Sequence, residues 1–176
     1  AIAACAKKGF DTVIVADSVR ARFFTMESAR EPLNESGPKL VEHESMLNTA
    51  KELPESKRMG NSTSGRNRSS SGGSYAFDDH RGKHEQDALR RFAKKVVAKG
   101  IRQTSQQDAR RCLVIAAEKK VLGALRTEWA AIKTNGIEIR ECDRDMAGET
   151  PLKIQDMLAK RKLIPAMKKP AQLTRK

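Results

Sequence analysis

The run Thr12-Val-Ile-Val-Ala16, with Asp17-Ser-Val-Arg-Ala-Arg-Phe-Phe-Thr-Met26 directly behind it, decides how the rest of the chain must be arranged. The first five residues are apolar or β-branched throughout, the composition of a strand covered on both faces. Asp17 and Ser18 interrupt it with side chains that bond nearby backbone in turns. Ala21 to Met26, carrying Phe23 and Phe24, reads as a second strand. It follows so closely that the two must pair antiparallel. Pro32, Asn34, Gly37 and Pro38 end this unit. Leu40 to Leu47 reads as a third strand, although its mixed apolar spacing also admits a helix.

Further along, the apolar period changes. Leu89, Phe92, Ala93 and Val96 fall at helical spacing, with Gly100 as the expected stop. Cys112-Leu-Val-Ile-Ala-Ala117 is another buried-strand run. It leads into a helix that places Val121, Leu122, Leu125, Trp129 and Ile132 on one face, closed by Asn135-Gly136. Ile137, Ile139 and Glu141 alternate with neighbours in a further strand. Thr150-Pro151 supplies an N-cap and a first-turn proline for a last helix with Ile154, Met157 and Leu158 inward. Strands paired early, followed by helix, strand, helix, strand and helix, predict an α/β sandwich around a mixed sheet. An antiparallel start joined to a parallel βαβ portion is the ribonuclease H-like pattern. The expected organisation is an N-terminal segment over 1–10, one domain over 11–158 with an exposed loop over 51–82, and a basic tail over 159–176.

The loop centres on Met59 to Gly82, where Ser, Gly, Asn and Arg dominate and little can be buried before Tyr75. A segment with so little apolar surface cannot offset the entropy of ordering itself, so it reads as a basic loop carrying Arg66, Arg68 and Arg81. The whole chain of 176 residues has a formal net charge of +13 and 4% aromatic residues. That charge predicts attraction to phosphate backbones or anionic surfaces, and the scarcity of aromatics argues against a platform for stacking single-stranded bases. Arg90 with Lys94, and Arg91 with Lys95 and Lys99, repeat along the outer face of the first long helix. Lys168 and Lys169 continue the positive charge toward the C-terminus. Cys5, Cys112 and Cys142 are widely spaced, which argues for reduced thiols in a cytosol-like compartment, with Cys112 and Cys142 serving as small apolar residues in strands. No apolar run is long enough to cross a bilayer.

Several stretches together carry a resemblance. Val15-Ala16-Asp17-Ser18-Val19-Arg20-Ala21-Arg22-Phe23-Phe24 resembles the opening signature of the bacterial host attachment protein family. Lys83-His84-Glu85 with Arg91-Phe92-Ala93, Leu122-Gly123-Ala124-Leu125-Arg126 and Glu141-Cys142-Asp143-Arg144-Asp145 are similar to its later segments, in register over Asp11 to Leu158. The family is distantly related to the central domain of archaeal and eukaryotic peptide release factors and of Pelota. That kinship implies a ribonuclease H-like fold with an exposed loop. Where release factors present Gly-Gly-Gln, this chain has Gly72-Gly73-Ser74, and serine lacks glutamine's reach.

Two constellations invite catalytic readings. Asp17, Asp143 and Asp145, each following a strand, would hold divalent metal for nuclease chemistry if they converged. The alternative is that Asp17 caps a turn while Asp143 and Asp145 pair with Arg20 or Arg22. His80 and His84 could share a helix face and ligate zinc, but no further ligands are specified, and histidines at a helix start near acids are more often surface partners. No phosphate-binding loop, nucleophile elbow or dinucleotide fingerprint is present, and no cofactor is expected. The reading drawn from the sequence is a non-enzymatic factor that binds the ribosome or structured RNA. Its contacts are Arg66, Arg68, Gly72, Gly73, Ser74, Arg81, Arg90, Arg91, Lys94, Lys95, Lys168 and Lys169. The alternatives are an attachment or protein-interaction factor using the same loop, and a metal-dependent nuclease.

Overall fold

The computed structural model describes residues 12–29, 31, 35–52, 79–106, 112–132 and 136–170. They form five strands, β1 (Thr12–Ala16), β2 (Arg20–Glu27), β3 (Lys39–Leu47), β4 (Cys112–Ala117) and β5 (Glu138–Asp143). One helical turn, α1 (Thr49–Glu52), and three longer helices, α2 (Asp79–Ser105), α3 (Lys119–Ala130) and α4 (Pro151–Lys160), accompany them. The strands make a single mixed sheet in the order β3-β2-β1-β4-β5. β1 pairs antiparallel with β2 and β2 with β3, whereas β1–β4 and β4–β5 are parallel. Leu40 to Leu47 is therefore a strand, the first of the two readings its spacing allowed.

β1 and β4 are buried at every position, as strands covered on both faces must be. Alternation divides their side chains into two cores. Ile14, Ala16, Phe23, Leu113 and Ile115 point toward α2 and α3, where they meet Phe92, Val96, Val121, Leu125 and Trp129. Val13, Val15, Phe24, Met26 and Val114 point the other way, against Met146, Ile154, Leu158 and Ile164. The successive Phe23 and Phe24 are thus both buried because each fills a different layer. A register shift opposite Phe23 and Phe24 inserts His43 into β3, so Glu42 and Glu44 pair with residues facing opposite sides of the sheet. Cys112 and Cys142 are buried in strands as small apolar residues.

Two expectations about α2 are corrected. It begins at Asp79, inside the stretch 51–82 read as loop, with polar first turns exposed from Gly82 to Asp87. It also passes through Gly100 and continues to Ser105. Gly100 marks a close crossing, where an added Cβ would lie 2.4 Å from Ile14 Cδ1. Helix α3 ends at Ala130, ahead of Gly136, whose φ of 81° serves the turn into β5.

Beyond α4 the chain stays against the domain. Lys162, at φ 58°, ends the helix with bonds from its N–H to Ala159 O and from Leu163 N–H to Leu158 O. Ile164 is buried, and Lys168 and Gly37 exchange two backbone hydrogen bonds of 2.9 and 3.0 Å. Gln155, itself buried, fastens this segment. It accepts from Leu40 N–H and donates to the carbonyls of Pro38 and Pro165. The residues read as the start of a basic tail are, as far as Pro170, placed along the β3 side of the domain.

Candidate functional site

The motif residues gather where β1 ends and β2 begins. Asp17 Oδ1 accepts from the N–H groups of Val19 and Arg20 at 2.6 and 2.7 Å, closing the tight turn between the two strands. Arg22 lies on the α4 side of the sheet with only 11% of its side chain exposed. Its Nε and Nη2 form a bidentate fork with Glu42 at 2.8 and 2.6 Å, and its Nη1 donates to the carbonyls of Ala147 and Glu149. Arg20 adds a 2.7 Å bond to the same Ala147 oxygen. Asp145 caps this 145–149 turn from below by accepting from Ala147 N–H at 3.0 Å. The fork holds the Glu42 carboxyl below its ordinary range and raises Arg22, while burial opposes both effects. Arg22 also lies 5.1 Å from the centre of the Phe24 ring.

This geometry decides the fate of the carboxylate constellation. Asp17 caps its turn and pairs with Arg20 at 3.9 Å, Asp143 pairs with Lys119 at 3.8 Å, and Asp145 bonds backbone. The expected pairing of Asp143 and Asp145 with Arg20 or Arg22 is replaced, because Glu42 and the 147–149 carbonyls already take those guanidiniums. Among the described residues no group of three or more His, Cys, Asp and Glu is placed to hold a metal ion. His84 is exposed, and the side chain of His80 lies outside the described residues. A shallow groove of about 480 Å³ runs between α3 and β5, lined by Lys119, Leu122, Arg126, Glu141 and Asp143. Arg126 donates to both oxygens of Glu141 there, one contact at 3.1 Å from Nε, so the groove's charges largely satisfy one another.

The cationic residues fall into distinct places. Arg66, Arg68, Gly72, Gly73 and Ser74 lie outside the described residues, as does the side chain of Arg81 in the first turn of α2. Arg90, Arg91, Lys94 and Lys95 are all exposed on α2. At 100° per residue they span an arc of about 140°. Lys99, expected to extend the stripe, instead leans in over the Phe23 ring at 4.9 Å and pairs with Glu44 at 2.6 Å. Lys168 and Lys169 are exposed, but on a segment that packs with α4, whereas α2 covers the opposite face of the sheet. The α2 arc and the C-terminal lysines are therefore separate surfaces.

Sequence reasoning missed Glu128. It is a carboxylate with 10% of its side chain exposed, and it accepts from Arg90 Nε at 3.3 Å across the α2–α3 contact. The signal was present: Val121, Leu125 and Glu128 follow one another at helical spacing along the buried side of α3.

The fold and the clamp define a class: an α/β domain with a five-stranded mixed sheet flanked by helices, whose signature arginines fasten a turn over one sheet end. Within that class the chain belongs to the family described as "Protein required for attachment to host cells", whose family model matches residues 12–158. No curated protein matches the chain. None of the helices among the described residues is long and apolar enough to cross a membrane.

Proposed function

We propose that this protein acts by binding, as an attachment factor that recognises a partner at a host cell through the exposed surface of its single domain. The observation that carries the reading is the match to the attachment family over 12–158, which covers the whole sheet and its flanking helices up to Leu158 in the last one. The motif residues support it from another side. Asp17, Arg20, Arg22 and Asp145 are occupied in holding turns, which fits action through surface contact. The test is adhesion by cells that make the protein, compared with cells lacking it and with cells given back the wild type or a Lys94→Glu, Lys95→Glu variant. Adhesion should fall on deletion and return only with the wild type. Unchanged adhesion on deletion overturns the reading.

A second reading, binding to the ribosome or structured RNA, is favoured by one specific observation. Arg91, Lys94 and Lys95 form no ion pair among the described residues, whereas on the same helix Arg90 pairs with Glu128 and Lys99 with Glu44. The strand order, with its second strand antiparallel, supports the ribonuclease H-like comparison and through it a kinship with release-factor central domains. On this reading Arg66, Arg68 and Arg81 would add placement beside Gly72-Gly73-Ser74, and the protein would work in the cytoplasm. Co-sedimentation with ribosomes across a salt series tests it, because counterion release makes phosphate binding fall steeply with ionic strength. Absence of association at low salt removes it.

A further inference from the structure

We infer that Arg90 is a pre-oriented phosphate-binding arginine, positioned by buried Glu128, and that the α2 arc around it docks on the backbone of a nucleic-acid duplex. The inference rests on the second reading above and names the residue that makes it more than diffuse attraction.

The two ends of the Arg90 side chain have different surroundings. Glu128 accepts from Nε at 3.3 Å and sits with only 10% of its side chain exposed, whereas the Arg90 side chain is 75% exposed. With Glu128 bonded at Nε and the side chain 75% exposed, the two terminal nitrogens stay accessible, and that edge of a guanidinium matches two oxygens of a phosphate. A free arginine must lose rotamer freedom to make such a contact. One already tethered at Nε has less to lose.

The surroundings match the same ligand. Lys94 stands one turn further along from Arg90, and Arg91 and Lys95 continue the arc. Arg91 is itself steadied by a bond from Nε to the Asp87 carbonyl at 3.3 Å. Exposed Arg102 extends the line, about 16 Å beyond Arg91 along the axis. The aromatic residue in this part of α2, Phe92, is buried, so the arc offers no ring on which an unpaired base would stack. A straight row of cations without stacking groups suits the fixed backbone of a duplex better than a single strand.

Glu128 gives the inference a test in which two explanations predict opposite signs. Glu128→Leu removes a negative charge beside the arc, so simple electrostatics predicts tighter binding of any polyanion. If Glu128 positions Arg90, the same change weakens binding. The replacement fills the α2–α3 contact with an apolar side chain of similar size, and because the Arg90 side chain is 75% exposed, losing its partner leaves no uncompensated charge buried. Trp129, the next residue, reports by fluorescence whether that contact is preserved. A second variant, Arg90→Lys, keeps the charge, loses the fork, and lies on the exposed side, where folding is not at risk.

The assay is fluorescence anisotropy with a labelled RNA hairpin, a single strand of the same composition and a sulfated glycan, each across a salt series. The wild type should prefer the hairpin. Glu128→Leu and Arg90→Lys should each bind it about tenfold more weakly, the order of one charge-assisted hydrogen bond, with Arg90→Lys leaving the salt slope unchanged. Tighter binding by Glu128→Leu, or wild-type affinity in Arg90→Lys, overturns the positioning role while the RNA reading stands. Equal or stronger binding of the glycan or the single strand overturns the choice of a duplex. No binding of the hairpin by the wild type at low salt removes the inference and the second reading together.

Discussion

The crossing of α2 over β1 at Gly100 makes a prediction whose sign depends on one methyl group. Replacing Gly100 by Ala gains helix propensity worth about 1 kcal/mol. The new Cβ, however, would lie 2.4 Å from Ile14 Cδ1, in a core where Ile14 has no exposed surface. Forcing a methyl into such a place costs about 1–3 kcal/mol, so Gly100→Ala should range from neutral to about 2 kcal/mol destabilising. Ile14→Val removes the offending carbon, itself costing about 0.5–1.5 kcal/mol. The remaining neighbours, Ile14 Cγ1 at 3.5 Å and Leu113 Cδ2 at 3.6 Å, are ordinary contacts. In that background Gly100→Ala should stabilise by up to about 1 kcal/mol, because propensity is now the larger effect. Urea unfolding of the four proteins, with unchanged slopes, measures the cycle. The same change in stability on adding Ala to either background would refute the reasoning and return Gly100 to the role of an indifferent helix residue.

Other predictions follow from the clamp and the helix end. Lys162 holds a left-handed backbone at φ 58°, so Lys162→Gly should raise stability by about 1 kcal/mol in thermal unfolding. Arg22→Lys loses the fork to Glu42 and cannot reach both the Ala147 and Glu149 carbonyls. A loss of about 1–3 kcal/mol is expected by urea denaturation, the order of losing charge-assisted hydrogen bonds at a part-buried site. Glu42 is held below the ordinary carboxylate range chiefly by its hydrogen bond from Arg22. The folded state therefore binds fewer protons than the unfolded chain, and this stabilisation is full only well above the unfolded value of about 4.3 and is lost as pH falls through the lower folded value. Glu42→Gln should lower the neutral-pH melting temperature and flatten part of the acid decline, and an unaltered acid limb would contradict the assignment.

What the sequence made legible follows from how completely each element is buried. β1, β2 and β4 announce themselves because both their faces are covered, and the core residues of α2, α3 and α4 show the helical period for the same reason. The first turns of α2 carry no apolar period because Gly82 to Asp87 face solvent all round, so only the spacing of His80 and His84 pointed to a helix there. Gly100 misled because a glycine that ends a helix and one that admits a close crossing look alike until the neighbour is known. The C-terminal segment is fastened by backbone bonds to Gly37 and by Gln155, which leave no mark in an apolar pattern. At the site, the motif arginines were recognised, but their acceptors are carbonyls of a turn more than a hundred positions away. Charge counted along α2 found the arc. It did not reveal that Lys99 turns inward or that a carboxylate from α3 tethers Arg90.

The central strand also sets the order in which the molecule can be assembled. Val13 finds its antiparallel neighbour Phe24 almost at once, but its parallel neighbour is Val114, so most of the chain must be synthesised before the other side of β1 is occupied. Closing so long a connection costs entropy before any contact rewards it, which places folding among slow, non-local topologies. Meanwhile β1, β2 and β3 emerge as a hairpin meander with apolar side chains on both faces, Ile14 and Phe23 on one and Val13 and Phe24 on the other. Helix α2 can cover the Ile14 and Phe23 face before β4 is made, but the β1 edge stays open until β4 arrives and the Val13 and Phe24 face stays bare until α4 follows. It is during that interval, rather than once folded, that this protein is most exposed to aggregation.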